Sequence, residues 1–361
     1  MRPVRNSPPQ GPSGAQSAGA ISNGVRLLIV TQAVDTADPV LGFFHRWIQE
    51  LATRFERIHV VCLFEGTHAL PSNVSVHSLG KERGVSRVAY VMRFLRYAWS
   101  LRHEYDAVFV HMNQEYVLLG GLLWKLLGKN VYLWRNHYAG DFLTDLAVML
   151  ASTVFCTSKS SYTAKFAKTK VMPVGVDIIP SSVARIPRSI LFLARFAPSK
   201  RPDVLLQALT LLKERGVLFL ASFYGSPLPH DAAFAEKARM IAQNARLEVK
   251  FYEGVPNSVT PSIYSAHDIF VNLSGSGMYD KTIFEAAAAG CLVLASSRDF
   301  AELAGPEFSF TENDARHLAS KLETLMSMQG SERERARTTM RALAKQHSLK
   351  ELGRRLREEI Q

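Results

Sequence analysis

Short apolar runs alternate with stretches of helical spacing along the first half of the chain. Residues 25–32 form an apolar run with β-branched side chains, which predicts a buried strand. Residues 41–52 place apolar side chains at helical intervals, and residues 58–63 form the next apolar run. A strand, a helix and a strand in this order predict parallel strands joined by a right-handed crossover.

The same alternation continues along the chain. Further strands are predicted at residues 107–111, 130–134 and 153–157, and residues 190–206 run from an apolar strand through a loop into a helix. Such alternation is typical of doubly wound sheets, so the predicted fold class is α/β with two Rossmann-like domains. No dinucleotide fingerprint follows the first strand, which argues against a simple NAD enzyme.

Residues 274–295 carry a pattern with chemical meaning: a glycine-rich turn, a short helix and a buried strand. Glycines let backbone N–H groups approach a ligand, and the helix N-terminus favours an anion such as phosphate. Glu285, about one turn into the helix, can accept hydrogen bonds from sugar hydroxyls. The pattern indicates a nucleotide site; the alternative is an ordinary helix with a glycine-rich N-terminus.

Two cations follow the strand that begins at residue 190. Arg195 stands at the carboxyl end of that strand, and Lys200 lies five positions later in the loop. Ligands of open α/β sheets bind outside the carboxyl ends of the strands. A guanidinium and an ammonium at this place suit a diphosphate, although a solvated basic loop is the alternative.

Length and composition narrow the class of protein. The chain has 361 residues, 47% of them hydrophobic, which suits two domains. No apolar run is long enough to span a bilayer, and residues 1–23 lack a secretory signal and are predicted to be disordered.

Cys62, Cys156 and Cys291 lie far apart among apolar residues, which predicts reduced thiols in a cytosolic protein. No Cys/His cluster has metal-ligand spacing, so the sequence does not require a divalent ion. No cofactor is expected either.

The net charge of +11 and the pI of about 9.6 favour an anionic partner, either nucleotide, anionic lipid or nucleic acid. Nothing resembles a nucleic-acid-binding motif, so no nucleic-acid partner is expected. Basic residues concentrate in residues 81–102, among aromatic and aliphatic side chains. This stretch predicts either an amphipathic helix on an anionic membrane surface or a helix packed on the sheet with its basic side in water.

Five segments of the second half carry a family resemblance. They are residues 190–206, 223–227, 251–256, 264–271 and 285–295. In this order and spacing, from about residue 188 to about residue 325, they resemble the C-terminal half of retaining glycosyltransferases of family 4, within the glycosyl transferases group 1. That family has the GT-B fold, in which two Rossmann-like domains face a cleft.

The resemblance implies a retaining transfer of a sugar from a nucleotide-diphosphate donor to a hydroxyl acceptor in glycan or glycolipid assembly. It assigns Arg195 and Lys200 to the leaving diphosphate, Glu285 to the ribose hydroxyls and His137, at a strand end, to the sugar. Further residues are expected to bind the nucleotide sugar: Gly42, Gly225, Gly277, Asp280, Lys281 and Thr282. His137 and Gly42 also have purely structural interpretations, as a strand-end histidine and a helix-start glycine.

The resemblance further implies a metal-independent enzyme of the cytoplasm or the inner face of the cell membrane. Its partners would be a nucleotide sugar and a glycan or lipid-linked acceptor, with peripheral contact to an anionic membrane as a further option. The predicted domain boundaries are a tail at 1–23, an acceptor-side domain at 24–179, a linker at 180–187, a donor-side domain at 188–330 and C-terminal helices at 331–361. In such proteins the last helix commonly crosses back to the first domain.

The sequence departs from the family at one important position. The family motif Glu-x7-Glu has its second glutamate at Glu285, but its first glutamate is replaced by Gly277. The stretch from Gly277 to Lys281 resembles a subset that begins with Gly-x-x-Asp-Lys, in which Asp280 or Lys281 supplies polar contacts. Two other functions therefore stay open: a nucleotide-sugar epimerase of the same fold, and a non-catalytic protein that binds nucleotide sugars.

Overall fold

Two parallel β-sheets build the protein. The computed structural model describes residues 24–38, 40–179, 183–277 and 279–361. The predicted tail at residues 1–23 lies outside the described residues, as do residues 180–182 of the predicted linker. No described helix combines the length and the apolar content that crossing a bilayer requires.

Among the described residues, seven parallel strands form the first sheet. They are β1 (Arg26–Val34), β2 (Arg57–Glu65), β3 (Val74–Ser78), β4 (Ala107–His111), β5 (Asn130–Trp134), β6 (Thr153–Cys156) and β7 (Thr169–Val171). Their order across the sheet is β3-β2-β1-β4-β5-β6-β7. The helices between them are α1 (Gly42–Ala52), α2 (Arg87–Ser100), α3 (Gln114–Leu126) and α4 (Phe142–Leu150).

Five parallel strands of the described chain form the second sheet. They are β8 (Ser189–Leu193), β9 (Leu220–Tyr224), β10 (Val249–Tyr252), β11 (Ile269–Asn272) and β12 (Leu292–Ala295), in the order β10-β9-β8-β11-β12. The helices of this half are α5 (Pro202–Glu214), α6 (Ala232–Asn244), α7 (Thr260–Ala266), α8 (Lys281–Ala288), α9 (Arg298–Ala304), α10 (Ala315–Ser327), α11 (Gly330–Gln346) and α12 (Leu349–Glu359).

The predicted α/β fold with two doubly wound, Rossmann-like sheets is confirmed. The strands predicted at residues 107–111 and 130–134 have those bounds, whereas β1 continues two residues further, to Val34. The sequence does not predict the edge strands β3 and β7. The reason is that β3 is half-exposed with polar side chains at alternate positions, and β7 has only three residues.

The two C-terminal helices pack on different cores. Helix α11 buries Met340 and Ala344 in the core of the second sheet. Helix α12 buries Leu352 and Leu356 in the core of the first sheet, where it lies against α1. The chain thus returns to the first domain through α12.

The place where the chain leaves the first domain requires a glycine. Gly175 has φ +74°, and a Cβ atom there would lie 2.4 Å from the side chain of Leu352 on α12. The indole N–H of Trp47, on α1, donates a hydrogen bond of 3.1 Å to the Gly175 carbonyl. Helices α1 and α12 and the interdomain segment therefore meet at one tightly packed point.

A buried carboxylate ties α11 to the second sheet. The side chain of Asp268, just before β11, is 2% exposed and pairs with Arg333 and Arg337 of α11; its Oδ1 lies 2.9 Å from Arg337. It also accepts a hydrogen bond of 3.1 Å from the backbone N–H of Arg188, just before β8. Asp268 belongs to one of the five segments that carry the family resemblance, and these contacts give its carboxylate a structural role.

Candidate active site

The strand order places a crevice at the carboxyl edge of each sheet. In the first sheet, successive crossovers run in opposite directions from β1 and β4; in the second sheet, they do so from β8 and β11. Ligands of open α/β sheets bind at such switch points. The predicted cations and the glycine-rich turn follow β8 and β11, so the fold brings them to the switch point of the second sheet.

A lysine and an aspartate lie together at this switch point, although 80 residues separate them in the chain. The ammonium of Lys200 lies 2.7 and 2.6 Å from the two carboxylate oxygens of Asp280 and 3.0 Å from the hydroxyl of Ser274. Asp280 also accepts hydrogen bonds from Ser274 at 2.5 Å and from the Asn272 amide at 3.0 Å. The sequence analysis did not single out Ser274 or Asn272, although their place after the strand β11 is the signal that marks them.

This cluster keeps the carboxylate of Asp280 ionised and occupies it with bonds to residues outside the backbone of α8. Burial opposes ionisation of Asp280, but the charge of Lys200 and the hydrogen bonds from Lys200, Ser274 and Asn272 hold the pKa of the carboxyl below its ordinary value. Asp280 is the N-cap residue of α8, yet its side chain accepts no bond from the helix backbone. No described side chain caps the first amides of α8. The Ile283 N–H donates to the Asp280 carbonyl at 3.2 Å, which leaves the N–H groups of Lys281 and Thr282 available to an anion.

Two charged side chains follow on successive turns of α8. Burial lowers the pKa of Lys281 to about 8, and the positive charge of Arg46 adds to that effect, whereas Glu285 and Asp177 oppose it. Burial raises the pKa of Glu285, while the charge of Lys281 and a hydrogen bond of 3.3 Å from the Tyr264 hydroxyl oppose the rise. Both side chains are half-buried, so water solvates their charges incompletely. Charged groups in such surroundings are typical of ligand-binding sites.

An aromatic surface of the first domain faces Lys281. The ammonium of Lys281 lies 3.9 Å from the ring centre of Phe43 and 5.7 Å from that of Trp47, both on α1. The imidazole of His111, at the end of β4, stacks on Phe44 with 3.9 Å between ring centres. Burial and the charge of Lys281 lower the pKa of His111 to about 3, so His111 is neutral at physiological pH.

The depressed pKa of Lys281 predicts a pH-dependent stability. The folded protein releases this proton near pH 8, whereas the unfolded chain keeps it up to about pH 10.5. Charged Lys281 therefore destabilises the fold below pH 8, and stability should rise between about pH 8 and pH 10. A pKa difference of about 2.5 corresponds to about 3.5 kcal/mol, at about 1.4 kcal/mol for each pKa unit. Because the contact with the Phe43 ring favours the charged form, we expect a smaller rise of about 1–2 kcal/mol.

The measurement is the urea midpoint of the wild type and of Lys281→Met at pH 7, 8, 9 and 10. We expect the variant to be the more stable protein at pH 7 and the difference to shrink as pH rises. A constant difference across this range would show that Lys281 has an ordinary pKa.

Gly277 occupies a position that no side chain fits. It has φ +96°, and a Cβ atom there would lie 2.6 Å from Cβ of Tyr138 and 2.8 Å from the Ser160 carbonyl oxygen, both in the first domain. His137 stacks on the ring of Tyr138 with 4.5 Å between ring centres, and its Nδ1 lies 3.0 Å from the backbone nitrogen of Ala139. The predicted residues His137 and Gly277 are thus brought to the same boundary between the domains. In this arrangement a glutamate side chain has no room at position 277.

A carboxylate that the sequence analysis missed joins the domains beside Gly277. Asp299, at the start of α9, accepts hydrogen bonds from the hydroxyls of Ser158 and Ser160 at 2.7 and 2.8 Å, and from the Gly277 N–H at 3.2 Å. The Ser161 hydroxyl donates to the Gly277 carbonyl at 2.8 Å. The run of serines after β6 was the available signal, but the sequence gives no indication of their partner.

The remaining predicted residues lie around this core of the site. Arg195 is exposed, and its guanidinium forms no hydrogen bond or ion pair with the described part of the chain. Gly225 lies against the residue before Arg195, because a Cβ atom at Gly225 would be 1.9 Å from the Ala194 carbonyl oxygen. Gly42 is the first residue of α1, next to Phe43, and so lies across the domain boundary from Lys281.

The hydroxyl of Thr282 has an unusual environment. Its Oγ1 atom is buried in the first turn of α8, and no described residue offers it a hydrogen bond. Such a group is expected to be satisfied by water or a ligand. The described residues contain no group of three or more His, Cys, Asp or Glu side chains placed to hold a metal ion, and metal independence stays a prediction.

Comparison with known proteins identifies the second domain. Residues 187–328 match the family described as glycosyl transferases group 1. This range includes Arg195, Lys200, Asp280 and Glu285. No curated protein sequence matches the chain.

Solved structures resemble most of the chain, across both sheets. Anabaena HepE in complex with UDP has a TM-score of 0.74 at 18% identity, over 92% of this chain and 99% of HepE. A glycosyltransferase from Rickettsia africae has a TM-score of 0.69 at 17% identity, over 94% of this chain and 99% of that one. Sucrose-phosphate synthase from Thermosynechococcus elongatus has a TM-score of 0.70 at 14% identity, over 92% and 98%. At these identities the likeness shows the fold. Residues 187–328 therefore form a glycosyl transferases group 1 domain within a two-domain chain that has the GT-B fold.

Proposed function

We propose that the protein is a retaining glycosyltransferase that moves a sugar from a nucleotide-diphosphate donor to a hydroxyl acceptor. One observation carries the proposal. The switch point of the second sheet belongs to a domain that matches group 1 glycosyl transferases. It brings together the exposed Arg195, the start of α8, which no side chain caps, and Glu285. In this proposal, residues 188–330 bind the donor and residues 24–179 bind the acceptor.

The charges of the site suggest how the leaving diphosphate is stabilised. The charge of Lys200 is compensated by Asp280, so this pair is close to neutral and fixes the shape of the site. Arg195 has no such partner among the described residues, and its fork of N–H donors suits a diphosphate. We infer that Arg195, the amides of α8 and the Thr282 hydroxyl bind the diphosphate, with Lys200 as a positioned second cation. Preorganised donors aimed at developing charge give catalysis without reorganisation of solvent.

The other roles follow from position. Glu285, deeper along α8, would accept hydrogen bonds from the ribose hydroxyls, and Gly225 would let the nucleotide approach the backbone beside Arg195. His137, at the domain boundary, would orient the sugar, with Gly277 and Gly42 allowing close approach from either side. Lys281 would form an ion pair with the negative charge of the ligand, because burial deprives its ammonium of water. No side chain stands out as a covalent nucleophile, which is compatible with front-side attack assisted by the leaving phosphate.

We further propose that the reaction needs no metal and no cofactor besides the donor, and that it serves glycan or glycolipid assembly in the cytoplasm or at the inner face of the cell membrane. Support for metal independence is the guanidinium of Arg195 beside the start of α8. It is uncompensated among the described residues and would stabilise the leaving diphosphate in place of a metal. Support for the acceptor class is the family analogy alone.

The test is ligand binding followed by turnover. UDP, GDP and ADP and their sugar conjugates are compared by thermal shift and calorimetry, first without metal and then with Mg²⁺; UDP-glucose comes first because HepE was solved with it. Donor turnover and the anomeric configuration of the product are then followed by NMR. Inversion of configuration would contradict the retaining mechanism, and a strict need for Mg²⁺ would contradict metal independence.

A second candidate is a non-catalytic protein that binds nucleotide sugars. It is favoured by Gly277, since the position of the motif's first glutamate has no room for a side chain. Tight binding of one nucleotide sugar without hydrolysis or transfer would support this alternative. Absence of binding at millimolar ligand would contradict both candidates.

A further inference from the structure

A cavity of about 470 Å³ lies at the amino edge of the second sheet, opposite the edge that carries the candidate active site. Arg188 and Asp268, which line it, come directly before β8 and β11, and Arg333 and Arg337 line it from α11. Arg185, from the segment that joins the domains, also belongs to the lining. Among the described residues, four arginines and one carboxylate therefore line this cavity.

Arg333 has a structural role. Its guanidinium pairs with Asp268 and donates hydrogen bonds of 2.8 and 3.0 Å to the carbonyl oxygens of Leu325 and Met328, at the end of α10. These bonds satisfy carbonyl groups that a helix leaves without partners at its end. The packing of α10 and α11 on the sheet is thus enough to explain an arginine at this position.

Arg185 has a comparable role at the end of α8. Its Nη2 atom donates a hydrogen bond of 2.7 Å to the Ala289 carbonyl, and its Nη1 atom donates to the His267 carbonyl. Helix α8 begins at the candidate active site and ends beside Arg185. The cavity and the candidate active site therefore lie at opposite ends of the same helix.

Arg188 and Arg337 have N–H groups that the fold does not use. The Arg188 side chain is exposed, and its guanidinium forms no hydrogen bond or ion pair with the described part of the chain. Arg337 uses its Nη2 atom for a bond of 2.9 Å to Asp268, whereas its Nε atom is buried without a partner among the described residues. The contacts within the protein therefore do not explain the whole group of arginines.

The rest of the lining suits the body of a small organic molecule. Pro187, Met326 and Met328 supply apolar surface. Gln329 and Gly330 bring the N-terminus of α11, which no described side chain caps and which favours an anion. The volume of the cavity falls within the range of about 300–1,000 Å³ that is usual for small-molecule sites.

We propose that this cavity binds a phosphomonoester, which is a small organic molecule that carries one phosphate group. Four arginines and one carboxylate leave an excess of three positive charges, which a dianionic phosphate balances better than a single carboxylate does. Glu334 of α11 does not cancel this excess, because it pairs with Arg341 at 2.9 Å. Guanidinium groups bind phosphate oxygens through paired N–H donors, and the start of α11 adds backbone donors. The site rests on these residues and not on the proposed sugar transfer.

Calorimetry on the full chain tests the proposal with three probes. Phenyl phosphate carries a phosphate on an apolar body, inorganic phosphate lacks the body, and benzyl alcohol lacks the phosphate. We expect phenyl phosphate to bind more tightly than inorganic phosphate and benzyl alcohol not to bind. Bound phenyl phosphate should also protect residues 183–190 and 329–337 from hydrogen exchange. Equal affinities for the two phosphates, or no binding at millimolar phenyl phosphate, would overturn the proposal.

Variants then locate the bound phosphate. Arg188→Gln should weaken the binding of phenyl phosphate by about tenfold or more, and Arg188→Lys should recover part of the affinity. Because the Arg188 side chain has no partner in the described chain, both variants should keep the wild-type thermal midpoint without ligand. Arg335→Gln, at an exposed position of α11 outside the cavity, is the matched control and should bind like the wild type. Loss of binding in Arg195→Ala, with wild-type binding in Arg188→Gln, would place the phosphate in the cleft and overturn the proposal.

Discussion

Replacing Arg195 with alanine should reduce kcat/KM for the proposed sugar transfer by about 10²–10³ and leave the stability of the protein unchanged within about 0.5 kcal/mol. The reason is that Arg195 is exposed and has no partner among the described residues, so its removal creates no buried unpaired group. Its contribution is therefore made to the ligand and not to the fold. The measurements are steady-state kinetics with the donor found by calorimetry, and the thermal midpoint without ligand.

The same substitution at Lys200 should behave differently. Lys200→Ala leaves Asp280 in a site where the side chain is only 16% exposed and where Lys200 was its cation. We expect loss of activity together with a lower thermal midpoint, and the double variant Lys200→Ala/Asp280→Asn should recover part of the midpoint but none of the activity. Arg335→Ala, at an exposed position of α11, is the control and should change neither quantity. Wild-type kinetics in Arg195→Ala would remove Arg195 from the diphosphate site.

The sequence predicted those parts of the fold that depend on local patterns. The strands around residues 107–111 and 130–134 follow from apolar runs, because a strand buried on both faces needs apolar side chains throughout. The glycine-rich turn before α8 and the cations after β8 follow from strand ends, which a parallel sheet collects at one edge. These features are encoded within a few neighbouring residues.

Partners that are distant in the chain could not be predicted in this way. Nothing near Lys200 in the sequence indicates that Asp280 compensates its charge, and this contact changes the role expected of Lys200. Nothing near Asp299 indicates its bonds to Ser158 and Ser160 in the other domain. Likewise, the periodicity of α2 shows an apolar stripe but not which side of the helix faces the core. Such properties depend on how the two domains meet.

A final prediction concerns stability far from the cleft. Asp268→Ala should lower the free energy of unfolding of the second domain by about 3–5 kcal/mol, since breaking a buried ion pair leaves charges without compensation. Arg333 and Arg337 both lose their shared carboxylate, and the backbone N–H of Arg188 loses its acceptor. Urea unfolding followed by circular dichroism measures the effect. Fluorescence of the four tryptophans reports the first domain, where all of them lie.

Two control variants show whether the loss arises from uncompensated charge. Glu334→Ala breaks the exposed pair with Arg341 on the same helix and should leave the unfolding midpoint unchanged. Asp268→Leu/Arg333→Met/Arg337→Met removes all three charges and should be clearly more stable than Asp268→Leu alone, because no ion is then left unpaired. Equal stability of the single and triple variants would instead assign the loss to packing around β11. In that case Asp268 would stabilise the second domain through the packing of its side chain and not through its charge.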